Sequence, residues 1–142
     1  MIDISKKKIT KRIARATGKI FLPEDVLGKI KEGKIPKGDA IKTAEVSSLL
    51  AIKNAPFVIP HCHTVKITKA GLKVRYGENF VQLESNVEGF DRTGFEIEAL
   101  YSVMVGLLTI YDMCKAFIHR AEIGEIKLIQ KSGGKNNFKI SR

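Results

Sequence analysis

The chain has no tryptophan, only two cysteines and no long uncharged apolar run. Each shortage removes a class of explanation. Cys62 and Cys114 form no C-x-x-C pair, so no disulfide framework is indicated. Aromatic residues are 7% of the chain, which supplies few platforms for stacking bases. The longest apolar stretch, Ile97 to Ile118, is interrupted by Glu98, Asp112 and Lys115. It therefore falls short of the roughly 18 uncharged residues of a membrane span. The basic N-terminus, Met1 to Lys8, is followed by no apolar signal core. The expectation is a cytoplasmic protein with no membrane partner. Internal repeats and low-complexity tracts are also absent.

What is there suffices for one ordinary domain. The chain has 142 residues, 44% of them hydrophobic, enough to bury a core without staples. We expect a single domain over residues 1–142, with residues 1–10 as a flexible arm. Lys and Arg number 25 against 15 Asp and Glu, a net charge of +10. Such a surplus favours anionic partners such as nucleotides, nucleic acid or phosphometabolites. The lysines are scattered, and only Lys6-Lys7-Lys8 forms a run.

The order of elements follows from periodicity and punctuation. Lys11 to Phe21 alternates as a strand, with Gly18 as its weak point. Pro23-Glu24-Asp25 opens a short helix, since proline and acids suit a helix start. Gly33 to Gly38 reads as a loop. Asp39 to Lys53 has the apolar spacing of an amphipathic helix, with Asp39 as N-cap and Pro56 and Pro60 ending it. Val65 to Tyr76 and Phe80 to Val87 form a hairpin around Gly77-Glu78-Asn79, and Gly71 marks a bulge or turn. Thr93-Gly94-Phe95-Glu96 fits a capping box for a helix of about 25 residues. A strand carrying Ile126, Leu128 and Ile129 follows, then a short extended piece at Phe138-Lys139-Ile140. This succession is the ferredoxin-like, split βαβ plan: an α+β fold with an antiparallel sheet and helices on one face.

Five segments carry candidate chemistry. Asp112 and Lys115 are spaced i, i+3 at the end of the long helix, among apolar neighbours. We expect the pair to be partly desolvated, with Lys115 available as a proton donor. A plain structural ion pair is the simpler reading of these residues alone. His61-Cys62-His63, if extended, points both imidazoles one way and the thiol the other. Two histidines could bind zinc, but a third ligand at suitable spacing is missing. Glu96 has work in the capping box, while Glu98 has none. Lys37 stands where it can meet an anion at the next helix N-terminus. Lys131-Ser132-Gly133-Gly134-Lys135 offers cations and free backbone N–H groups but lacks P-loop spacing.

Taken in order, these segments resemble one family. They are Lys37-Gly38-Asp39, Ile59-Pro60 with Cys62-His63, Thr93-Gly94 with Glu96 and Glu98-Ala99-Leu100, Leu108 to Ala116, and Lys131 to Lys135. The chain is similar over nearly its whole length to the cyclic pyranopterin monophosphate synthases, the molybdenum cofactor biosynthesis protein C family. The resemblance implies a ferredoxin-like lyase, assembled as a hexamer, a trimer of dimers with sites at the dimer interface. Its substrate would be a cyclised dihydroguanosine triphosphate, rearranged to cyclic pyranopterin monophosphate with loss of pyrophosphate. By the same resemblance Asp112 and Lys115 are catalytic. Cys62, His63, Glu96, Ile97 and Glu98 line the substrate, with His61 beside them, and Lys37, Lys131 and Arg12 match basic positions of the site. Lys135 joins Lys37 and Lys131 as a cation for the triphosphate. The family commonly has an apolar residue at His61, proline at Thr64 and methionine at Ile97, so this chain departs at three positions.

No cofactor for hydride or electron transfer is expected. Mg²⁺ can accompany the triphosphate, although no carboxylate cage for it is visible. Two other classes compete: a ferredoxin-like nucleic-acid-binding module, with Tyr76 and Phe80 as stacking candidates, and a zinc hydrolase using His61 and His63. Glu98 and Asp112, fourteen residues apart, stand roughly 21 Å apart on a straight helix. The pair near one substrate is therefore expected to come from different chains.

Overall fold

Small and apolar residues alternate along Thr10–Phe21 (β1), placing Ala14, Ala16, Gly18 and Ile20 on one face of the sheet. In the computed structural model, which describes residues 1–141, β1 is the central strand. It pairs antiparallel with Phe80–Asp91 (β3) on one side and Glu122–Ser132 (β4) on the other. Ile67–Tyr76 (β2) lies outside β3, and the two-residue Phe138–Lys139 (β5) lies outside β4. The order β2-β3-β1-β4 with β5 appended is the ferredoxin-like arrangement expected from the sequence.

Three helices complete the fold: Glu24–Lys31 (α1), Ala40–Val58 (α2) and Glu96–Cys114 (α3). Helix α3 lies on β1, β3 and β4, with α2 beside it. Its buried side includes Ala99, Val103, Leu107 and Ile110, all fully enclosed. By length and composition Glu96–Phe117 could cross a membrane. Here that apolarity serves the domain core, and Glu98 is buried in its first turn.

Two glycines set the spacing of the layers. A Cβ at Gly18 would stand 2.8 Å from Val103 Cγ1 and 2.9 Å from Ile126 Cγ1. A Cβ at Gly106 would stand 2.4 Å from Ser48 Oγ and 2.7 Å from Leu83 Cδ1. Gly18 is thus no weak point in β1; its missing side chain lets α3 pack close against the strand.

Several boundaries differ from the sequence reading. Helix α2 passes through Pro56 and stops at Val58. The missing N–H of Pro56 removes one bond near the end of the helix, while Ile59 N–H still donates to the Ala55 carbonyl. Gly71 is neither bulge nor turn: it pairs with Asn86, and the irregularity of β2 lies between Ile67 and Lys69. The capping box does not form. Phe95 is the N-cap of α3 and makes no side-chain cap bond. Phe95 is buried in the core, and Glu96 turns to a partner on β4. Helix α3 has 19 residues rather than about 25, tightening into a 3₁₀ turn at Lys115–Phe117. There Phe117 and Ile118 pack back against the core and lead into β4.

The N-terminal arm makes a turn, with Lys7 N–H donating to the Ile4 carbonyl. At its end Thr10 Oγ1 donates to the Gly133 carbonyl at 2.7 Å, joining the arm to the β4–β5 turn.

Candidate active site

The expected site residues fall into two groups at opposite ends of α3. At the C-terminal end is Asp112. Its Oδ1 lies 3.1 Å from Lys115 Nζ and its Oδ2 lies 3.1 Å from Lys37 Nζ. Lys37 Nζ also donates to the Asp112 carbonyl at 2.8 Å, capping a helix end where cations are favoured. Lys37 was expected to meet an anion at the start of α2. It reaches instead across to the end of α3, while Asp39 caps α2 by accepting from the Ile41 and Lys42 N–H groups. Hydrogen bonds from Lys115 and then Lys37 hold the Asp112 carboxyl below its ordinary range.

The expectation of a desolvated pair is not met within one chain. Asp112 and Lys115 side chains are 56% and 58% exposed. The cause is helical phase. Ile110, Met113 and Cys114 turn into the core, so Tyr111 and Asp112 turn out, and Lys115 opens the 3₁₀ turn.

The second group gathers at the N-terminal end of α3. Glu98 is 1% exposed and accepts from Cys62 Sγ at 3.3 Å. Burial foremost, with Glu96 and Asp91 nearby, pushes its carboxyl up. Glu96 pairs with Lys131 Nζ at 2.6 Å. Its carboxylate folds over Gly94, where a Cβ would fall 1.9 Å from Glu96 Oε2. Ile97 is 40% exposed between the two acids.

Two arginines lie beside them. Arg12 Nη2 donates to the Arg92 carbonyl at 3.2 Å. The Nε atoms of Arg12 and Arg92 are buried and have no hydrogen-bond partner among the described residues, an arrangement that suits an oxyanion. Gly133, with φ at +93°, brings the β4–β5 turn against this pair: a Cβ there would stand 1.9 Å from the Lys11 carbonyl oxygen and 3.0 Å from Arg12 Cδ. The turn's backbone is not all free, since Gly134 N–H donates to Asn137 Oδ1 at 3.3 Å. Lys135 is exposed on it. Arg92 was not foreseen. Its only sequence signal is a cation between a strand and a helix, which many surface residues share.

His61 and His63 line a cavity of about 530 Å³ with Met1, Ile2, Ile4, Lys7 and Thr93. Cys62 points away from it, toward Glu98, as alternation suggested. The segment is a turn rather than a strand, with Cys62 N–H donating to the Ile59 carbonyl at 3.1 Å. Among the described residues, no three His, Cys, Asp or Glu side chains gather as a metal would need. The two aromatics considered for base stacking are already engaged. Lys31 Nζ lies 5.2 Å from the Tyr76 ring centre, and Lys19 Nζ lies 4.3 Å from that of Phe80. The sheet face opposite the helices presents Arg15 paired with Glu84, beside Glu88, Gln130 and Lys139.

A family model described as the MoaC family matches residues 1–134. Proteins named cyclic pyranopterin monophosphate synthase are similar over nearly the whole of this chain. One from Thermoanaerobacter pseudethanolicus is 42% identical, with 97% of this chain and 89% of the relative aligned. One from Clostridium perfringens is 41% identical and one from Roseiflexus castenholzii 40% identical, each with 96% of this chain and 87% of the relative aligned.

Proposed function

This chain belongs to the MoaC family, and on that premise we propose that it catalyses the cyclic pyranopterin monophosphate synthase reaction. The enzyme is a phosphorus–oxygen lyase of molybdenum cofactor biosynthesis. It rearranges 3',8-cyclo-7,8-dihydro-GTP to cyclic pyranopterin monophosphate and releases pyrophosphate. The observation that carries the reading is the convergence of Lys37 and Lys115, from distant segments, on the two oxygens of Asp112.

That convergence supports a division of labour. An ionised Asp112 holds two ammonium groups in fixed directions. Lys115 delivers a proton as the purine-derived ring opens and recloses, and Asp112 orients it. At the other end of α3, Arg12, Arg92, Lys131 and Lys135 carry the triphosphate and stabilise charge on the departing pyrophosphate. Glu98, with Cys62 and His63 beside it, accepts hydrogen bonds from the base-derived amino groups. No resident cofactor enters these steps, and Mg²⁺ arrives with the triphosphate.

One chain holds the two groups about 21 Å apart along α3. We therefore take the working site to be composite, with the Asp112 end of one chain facing the Glu98 end of another. The assembly is a hexamer, a trimer of dimers, in the cytoplasm. Support comes from Ile97, Met104, Leu108 and Tyr111, which are 38% to 60% exposed and recur at helical spacing along α3. Covering that stripe would also withdraw Asp112 and Lys115 from water.

The test is incubation with the cyclised nucleotide and mass analysis of the products, beside Lys115→Ala. Wild-type protein should give the pyranopterin and one pyrophosphate per turnover. Unchanged nucleotide in the wild-type reaction would refute the assignment.

A further inference from the structure

The thiol of Cys62 is the least conventional donor in the molecule. It lies on the turn after α2 and reaches the first turn of α3, its Sγ 3.3 Å from Glu98 Oε1. The other acceptor near the sulfur, the His63 carbonyl, is farther at 3.7 Å. Glu98 is almost wholly enclosed, so its carboxylate has lost most of its water. A buried carboxylate needs donors, and Glu98 has its own backbone N–H and the Cys62 thiol.

We propose that Cys62 is a positioning residue: its S–H binds one oxygen of Glu98 and so fixes the direction of the other toward the substrate. The sulfur neither attacks, ligates nor becomes oxidised. This rests on the reading above, in which Glu98 faces the substrate.

The surroundings favour a thiol that stays protonated. The charged group in contact with the sulfur is the Glu98 carboxyl, which itself lies near Glu96 on α3, paired with Lys131 from β4, and Asp91 at the end of β3. Burial, and then the charge of Glu98, push the Cys62 thiol up to about 11. A nucleophilic or metal-binding cysteine needs the thiolate and the cationic surroundings that produce it. The charged group that the sulfur touches here, Glu98, is an acid. The same bond lowers the Glu98 carboxyl from the value that burial alone would set, and only a protonated thiol can donate it.

The experiment compares wild type, Cys62→Ala and Cys62→Ser, with Glu98→Gln to assign the Glu98 carboxyl signal. In substrate-free protein, carbon NMR follows that carboxyl across pH, and iodoacetamide labelling at pH 8 follows the thiol. Cys62→Ala should move the Glu98 titration upward, and Cys62→Ser should move it back. Wild-type Cys62 should be alkylated far more slowly than glutathione. With substrate, kcat should fall about ten-fold in Cys62→Ala with KM little changed, and Cys62→Ser should recover to within about three-fold of wild type. A Glu98 titration unmoved in Cys62→Ala, a serine variant as slow as the alanine one, or rapid alkylation of Cys62 would each overturn the proposal. The spectroscopic arms need no turnover. If wild type leaves the nucleotide untouched, the proposed reaction fails while the thiol–carboxylate pairing is still judged.

Discussion

Glu98 and Asp112 ride on one continuous helix and stand at its opposite ends, about 21 Å apart at 1.5 Å per residue. A nucleotide-sized molecule in one chain would barely touch both. Chains carrying Glu98→Ala and chains carrying Asp112→Ala should each be inactive alone. Co-expressed with different tags and purified as mixed oligomers, they should regain roughly a quarter of wild-type activity, because about half of the randomly formed pairs are mixed and a two-fold interface leaves one of the two sites intact in each. Absence of rescue in verified mixtures would mean that a single chain closes its own site.

Lys115→Ala should cut kcat by about 10²–10⁴, the usual worth of a positioned proton donor. Its melting temperature should stay within about 1–2 °C of wild type, since the side chain is more than half exposed. A large drop in stability would reassign the pair to a structural role.

Lys37→Ala should act through the acid limb of the pH profile. Asp112 is held low by Lys115 first and Lys37 second. Removing Lys37 lets its carboxyl rise, so ionised Asp112 is lost at a higher pH than in wild type. The acid limb of kcat/KM should move upward in pH, and an unmoved limb would exclude Asp112 as the group it reports.

Glu98→Gln should stabilise the protein while disabling it. The folded Glu98 carboxyl lies above its unfolded value of about 4.3. Its favourable contribution is complete below that value and is lost as pH rises through the folded one. The glutamine variant should therefore melt a few degrees higher, about 3 °C, at pH 8, and the gain should vanish below about pH 4. Equal melting at both pH values would show that the carboxylate is not penalised by burial.

Gly18→Ala should destabilise by about 1–3 kcal/mol, because Val103 and Ile126 already occupy the space of the new methyl. That corresponds to a fall in melting temperature of roughly 2–4 °C per kcal/mol. No fall would mean that α3 can lift from the sheet at little cost.

Much of the fold was legible because its signals are local. The alternation of β1, the Asp39 cap and the Gly77-Glu78-Asn79 hairpin each depend on neighbours a few residues away, and each formed as expected. The misreadings concern partners that sequence spacing cannot show. Glu96 satisfies a capping-box pattern but bonds to Lys131 across the fold. Lys37 caps a helix 75 residues downstream rather than the one it precedes. Apolar neighbours on a helix do not say which way Asp112 turns, and Arg92 stands out by an Nε that, beside Arg12, has no partner among the described residues. Helix rise alone already set Glu98 and Asp112 at opposite ends of α3, while the partners gathered at each end, Lys37 on Asp112 and Cys62 on Glu98, are contacts between distant segments.

The absence of a side chain at Gly18 and at Gly106 leaves α3 no slack against the strand beneath it or the helix beside it. The helix is therefore a rigid spar whose length sets the gauge between its two chemical tips. Any tightening around a ligand falls to the loops and arm at those tips, and lengthening the spar by a turn would put the two machineries out of step.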